Sequence, residues 1–280
     1  MTPHLLSISA CCFGVAFLLY LLSALLYWVN PFAKAMEFRP PAALLARLGF
    51  ASHTLAIVLR SLAQHEPPFI NLLQGASFLA WVIVGLFLVM DWRLRLSGLG
   101  PFALPTGFAA IFLAAVLPGR SQSLVPALKS NSLYIHIGLS MLGLGCLALA
   151  FCAAVAYLAQ ERRLKRKRLP ATLDRALSLD QADSVATVLV ALGFACLTFG
   201  LILGGMAARS FWTGLWLVDP KVLISVVVWL IYGAYLYARG VVGWRGRETM
   251  VLIIWGFVIM VVGLVGVNLA GVSRHSPYSL

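Results

Sequence analysis

The chain has 280 residues, 61% of them hydrophobic and 11% charged, with a mean hydropathy of +0.95. Water-soluble domains carry roughly a quarter charged residues and rarely exceed half apolar, so a soluble domain of this length is excluded. The 21 Lys+Arg against 9 Asp+Glu give a net charge of +12, which could suit a phosphate-rich partner, but short cytoplasmic loops of membrane proteins also collect Lys and Arg, and no nucleic acid is implied.

A helix needs about 20 mainly apolar residues to cross the hydrocarbon of the lipid bilayer. Taken in chain order, eight stretches come near that: 5–29, 44–62, 69–90, 99–117, 133–158, 185–206, 222–237 and 250–272. The expected fold is an all-α integral membrane protein, one bundle of about eight transmembrane helices forming a single membrane domain over 1–280. The N-terminus lacks the basic flank of a cleavable signal, so the first stretch reads as a retained span. In the second, Arg47 and Arg60 lie near the ends, where long side chains reach the interface. Pro101 and Pro105 are expected to kink or shorten the start of the fourth. The polar stretch 161–184 after the fifth holds the densest run of basic residues and reads as a cytoplasmic connection. In the sixth, Gly200 and Gly204 form a small-x-x-x-small pair suited to close helix packing. Arg239, past the seventh, can snorkel, which would leave Tyr235 and Tyr237 at the interface.

The basic segment sets the orientation. With 161–184 inside, both termini lie outside, and fifteen of the 21 basic residues fall on the inner side. The same topology sorts the histidines. His136 lies one turn inside the outer end of the fifth span, and His275 lies just past the outer end of the eighth. His65 falls in the outer loop after the second span, His53 falls mid-membrane, and His4 stands at the start of the chain. The five cysteines, Cys11, Cys12, Cys146, Cys152 and Cys196, show neither the spacing of a disulfide framework nor that of a zinc site.

Two imidazoles on different spans at one face can close on one metal from opposite sides, and a pair of them gives haem iron both its axial ligands. Each could equally sit singly at a headgroup interface. Between their spans runs the loop 210–221, with Phe211, Trp212 and Trp216 on the outer side. Trp212 and Trp216 are four apart, so in a helical segment they would share one face as an apolar platform, although aromatic belts are also rich in Trp. Asp219 followed by Pro220 fits the cap and first position of the seventh helix. A solute transporter would call for more polar residues within the spans than are present, with His53 the only deeply placed histidine.

The order of these elements carries a resemblance. Leu133-x-x-His136, the basic loop, Leu192-Gly-Phe194, Leu203-Gly204 and the Trp-rich loop ending Asp219-Pro-Lys221 come first. Trp229-Leu-Ile-Tyr232, Gly243-Trp-Arg-Gly246, Gly266-Val-Asn-Leu269 and His275-Ser276 follow. This resembles the CcsA (ResC) family of system II cytochrome c-type biogenesis proteins, with a core over 133–276. The earlier Gln64-His65-Glu-Pro-Pro-Phe segment resembles its short outer loop.

The resemblance implies haem binding, with His136 and His275 as iron ligands and Phe211, Trp212, Trp216 and Asp219 in the WWD domain that cradles the porphyrin. It further implies haem b as the substrate and apocytochrome c as the acceptor. A ResB/CcsB-like membrane partner and a place in the bacterial cytoplasmic (inner) membrane also follow. The loop departs from the family pattern at Thr213 and Val218, and Tyr237 stands where many relatives have a histidine. HemX/YpjD-like membrane proteins share the helical pattern and form the alternative, a non-enzymatic role in haem biosynthesis or complex assembly.

Overall fold

The computed structural model describes residues 2–29, 38–69, 72–116, 131–166, 177–211 and 218–270. Eight helices carry the chain: α1 (Thr2–Val29), α2 (Arg39–Gln64), α3 (Leu72–Leu94), α4 (Gly100–Val116), α5 (Asn131–Lys165), α6 (Leu179–Phe211), α7 (Pro220–Tyr237) and α8 (Arg247–Ala270). All eight segments are long and apolar enough to cross a membrane, and the protein is a multi-pass membrane protein, with no strand among the described residues. By its internal contacts the chain divides into two compact units, 1–120 with 159–178, and 121–158 with 179–280.

In unit 1, α2 buries a stripe of small residues, Ala42, Ala46, Gly49, Ala56 and Ala63, interrupted by His53, along one helix face. Small side chains let α1 come close, since lipid supplies no hydrophobic drive between helices and packing must hold them together. A Cβ on Gly49 would stand 2.8 Å from the Tyr20 ring of α1. Hydroxyls stitch the antiparallel pair: Ser9 donates to the Ala56 carbonyl (2.8 Å), Ser52 to Cys12 (2.9 Å) and Ser23 to Ala42 (2.7 Å). Phe50 of α2 stacks on Trp81 of α3, whose indole N–H donates to Thr54 at 2.8 Å. Gly107 of α4 meets Val84 of α3. Pro105 lies inside α4, and a short 3₁₀ turn, Ser97–Leu99, precedes that helix.

In unit 2 the contacts fix an antiparallel register. Gly143 of α5 faces Gly193 and Cys196 of α6. Phe194 of α6 stacks on Trp229 of α7, which donates its indole N–H to Thr198 at 2.9 Å. Gly256 of α8 meets Tyr232 of α7, Gly263 meets Ile224, and Phe257 stacks on Phe151 of α5.

The segment 161–184 departs from a simple connection at both ends. Helix α5 runs on to Lys165, with Lys165 donating to Glu161 at 2.6 Å, because an i,i+4 pair and cations at a helix C-terminus both favour helix. Helix α6 begins at Leu179, with Asp180 in its first turn, where the macrodipole favours an anion. Asp183 is thereby part of a helix and receives both guanidinium nitrogens of Arg239, one at 2.9 Å. Arg239 is therefore ion-paired within the protein instead of reaching out to the interface. Tyr235 is buried at 0% exposure with its hydroxyl 3.0 Å from Thr187, while Tyr237 is 62% exposed as expected. After α7 the chain makes one π turn, Ala238–Val242, and leaves through Gly243 at φ 81°, a left-handed conformation suited to glycine.

Candidate functional site

His136 stands in the second turn of α5, half-buried against α6. Two glycines of α6 make its seat. The Gly200 carbonyl lies 2.6 Å from Nδ1. A carbonyl can only accept, so Nδ1 carries the proton and Nε2 is left with its lone pair. A Cβ on Gly204 would fall 2.6 Å from the ring Cε1 and 2.9 Å from Nδ1, so any larger residue there displaces the imidazole. The pair that reads in sequence as helix packing is thus a socket for a histidine side chain. Ser140, one turn on, donates its hydroxyl to the His136 carbonyl at 2.8 Å and approaches Gly200 as well.

This arrangement has the chemistry of a prepared metal ligand. Ligating histidines characteristically donate the second ring N–H to a carbonyl or carboxylate, which fixes the tautomer and ring plane and raises the basicity of the ligating nitrogen. No described residue hydrogen-bonds Nε2. A haem iron approached from that side would meet a neutral imidazole with a fixed ring plane, and on this observation His136 fits the group.

Asp219 is the N-cap of α7. Its side chain accepts from the Lys221 amide at 2.9 Å, and Pro220 occupies the first helical position. The residue is 5% exposed. Its described role is thus to start α7 and fix the end of the preceding loop. The antiparallel register puts the start of α5, the end of α6, the start of α7 and the end of α8 at one end of unit 2, so His136 and Asp219 share that end. Phe211 closes α6 there, as a backbone position. Trp212, Trp216 and His275 lie outside the described residues. Helix α8 reaches Ala270 while heading to the same end, five residues before His275 in the chain.

His53 is enclosed completely, at 0% exposure. Its Nε2 lies 2.9 Å from Ser77 Oγ, and the rings of Phe13 and Tyr20 meet it edge-on, which matches its expected place mid-span as a hydrogen-bonder between packed helices. Sequence reasoning missed two residues that matter: the Gly200 carbonyl, because a backbone acceptor has no side-chain signature, and Asp183, because it lay in a stretch read as loop.

Comparison with known proteins places the chain in a family. The model of the family described as Cytochrome C assembly protein matches residues 42–275, most of the chain. The chain is 30% identical to the cytochrome c biogenesis protein CcsA of Microcystis aeruginosa, over 94% of this chain and 95% of that protein. CcsA of Rippkaea orientalis is also 30% identical, over 93% and 95%. CcsA of Guillardia theta is 28% identical, over 94% of each chain.

Proposed function

We propose that this chain, which belongs to the cytochrome C assembly protein family, serves cytochrome c biogenesis by holding haem b as its substrate and presenting it to apocytochrome c. His136 and His275 supply the two axial imidazoles. Phe211, Trp212 and Trp216 pack on the porphyrin, and Asp219 anchors the end of their loop by capping α7. The site faces outward from a bacterial cytoplasmic membrane with both termini on that side, and a ResB/CcsB-like membrane protein works beside it.

The observation that carries this reading is the seat of His136: Nδ1 held by the Gly200 carbonyl, Nε2 unclaimed by any described residue, and Gly204 bare beneath the ring. A histidine that merely sat at a headgroup interface would need neither a fixed tautomer nor a socket. The names of the relatives and the span of the family match support the biological setting.

Attachment requires each apocytochrome thiol to add across a haem vinyl double bond. The S–H hydrogen goes to one vinyl carbon and the sulfur bonds to the other, so no external oxidant enters. The chemistry belongs to haem and thiol; this chain's share is position. His136 and His275 would hold the iron and keep oxygen from it, and Phe211, Trp212 and Trp216 would pack on the ring and leave its vinyl groups reachable.

The test is the visible spectrum of the purified protein, taken for the wild type, His136→Ala and His275→Ala. The expected result is a low-spin bis-imidazole spectrum that each substitution weakens at least tenfold. A spectrum unchanged by both substitutions would overturn the assignment. In the HemX/YpjD-like alternative, cytochrome c maturation would survive loss of the gene.

A further inference from the structure

Unit 1 holds a partly buried cation that the haem reading does not use. Arg60 sits near the end of α2, half-buried. Among the described residues no carboxylate and no hydrogen bond meets it, and its Nε is sealed from solvent without a partner. The neighbouring Ser61 hydroxyl is likewise buried and unpaired. Near the end of a span a long side chain can reach the interface, but this guanidinium is half-buried against the protein, where an opposite charge or a polar cavity offsets the cost of burying it.

A cavity of about 230 Å³ lies beside it, lined by Arg60, Ser9, Gln74 and Ser77 together with apolar side chains such as Phe13 and Ile57. The polar wall is braced from behind: Ser77 is held by the buried His53, and Gln74 donates to Gln64 at 2.8 Å. Pockets for drug-sized ligands run to roughly 300–1,000 Å³, so this one is too small for a tetrapyrrole. Its size suits a compact anionic group with a short apolar continuation. Water could hydrate the guanidinium but would leave its charge uncompensated.

We propose that this cavity binds the phosphate of an anionic phospholipid, with Arg60 as its principal ligand. The guanidinium offers a fork of N–H donors matched to phosphate oxygens. Gln74 and Ser77 on the cavity's polar wall offer the further polar contacts, and the apolar wall takes the first carbons beyond the phosphate. A protein embedded in a bilayer meets such a lipid continuously, which favours it over a free anion.

Native mass spectrometry of the full chain in detergent tests this, with phosphatidylglycerol and phosphatidylcholine added in parallel. Wild type is expected to retain one phosphatidylglycerol at least tenfold more strongly than phosphatidylcholine. Arg60→Gln should abolish that preference, and Arg60→Lys should keep part of it. Ile57→Trp, which fills the cavity from its apolar side and leaves Arg60 in place, should weaken retention in the same way, so a folding failure of one variant does not decide the matter. Haem content should be unchanged in Arg60→Gln. The proposal is overturned if wild type shows no preference, if Arg60→Gln keeps it, or if millimolar inorganic phosphate displaces the lipid and stabilises the protein equally, which would mark a free-anion site.

Discussion

Two histidines inside apolar helices, one in each unit, have been given opposite surroundings. His53 in unit 1 is walled in by Phe13 and Tyr20, with Nε2 against a serine hydroxyl that can give or take a proton. His136 in unit 2 is half-buried, with Nδ1 against a backbone carbonyl that can only accept. A hydroxyl partner leaves the tautomer open, whereas a carbonyl fixes it and exposes one particular lone pair. Residue type alone therefore does not separate a packing histidine from a proposed ligand. The partner atom does, and so does the space left on the other side of the ring.

This contrast can be broken most severely at Gly204. Gly204→Leu drives a side chain into the His136 ring and is expected to abolish haem retention as fully as His136→Ala, at least tenfold by the visible spectrum. The control is Gly138→Ala on α5, where a new Cβ meets nothing within 4 Å. That substitution should leave haem content unchanged and add up to about 1 kcal/mol of helix stability.

A different kind of substitution separates stability from haem binding within unit 2. Arg239→Ala leaves Asp183 without its bidentate partner at a site where both side chains are only 15% exposed. Thermal unfolding in detergent should show a loss of about 2–3 kcal/mol. The spectrum of whatever protein remains folded should keep its bis-imidazole form, because this pair lies at the opposite end of the helices from His136.

His53→Ala should cost about 2 kcal/mol, from a small cavity and an orphaned Ser77 hydroxyl, while haem content stays at the wild-type level. A fall in haem content there would erase the distinction between the two histidines.

The smallest effect is expected at Asp219. Asp219→Ala removes the cap of α7 and should cost about 1 kcal/mol, and Asp219→Asn, which can still accept from the Lys221 amide, should cost only a few tenths. Haem retention should follow the cap, falling a fewfold in Asp219→Ala and holding in Asp219→Asn.

Much of the architecture could be read directly from the chain. A bilayer demands long uninterrupted apolar helices, so the spans around 5–29 and 222–237 lie close to α1 and α7. The capping role of Asp219-Pro220 was legible for a different reason: few residue types can begin a helix in that way. The helical ends at Lys165 and Leu179 were not, because polar residues extend a helix past the membrane without any apolar signal. That hid the Asp183–Arg239 pair, and with it the reason Tyr235 turns inward. At the candidate site the proposed ligand residue was visible by type and position. Its preparation was not, since it depends on a carbonyl and on a missing Cβ, and neither leaves a mark in composition or periodicity.

The most direct test of the central claim is chemical rescue of His136→Gly. Removing the side chain opens the socket between α5 and α6, and free imidazole can enter it and coordinate through the vacated position. If His136 is an axial ligand, His136→Gly should lose the low-spin haem spectrum, and millimolar imidazole should restore it. A low-spin spectrum that persists in His136→Gly without added imidazole would contradict the claim.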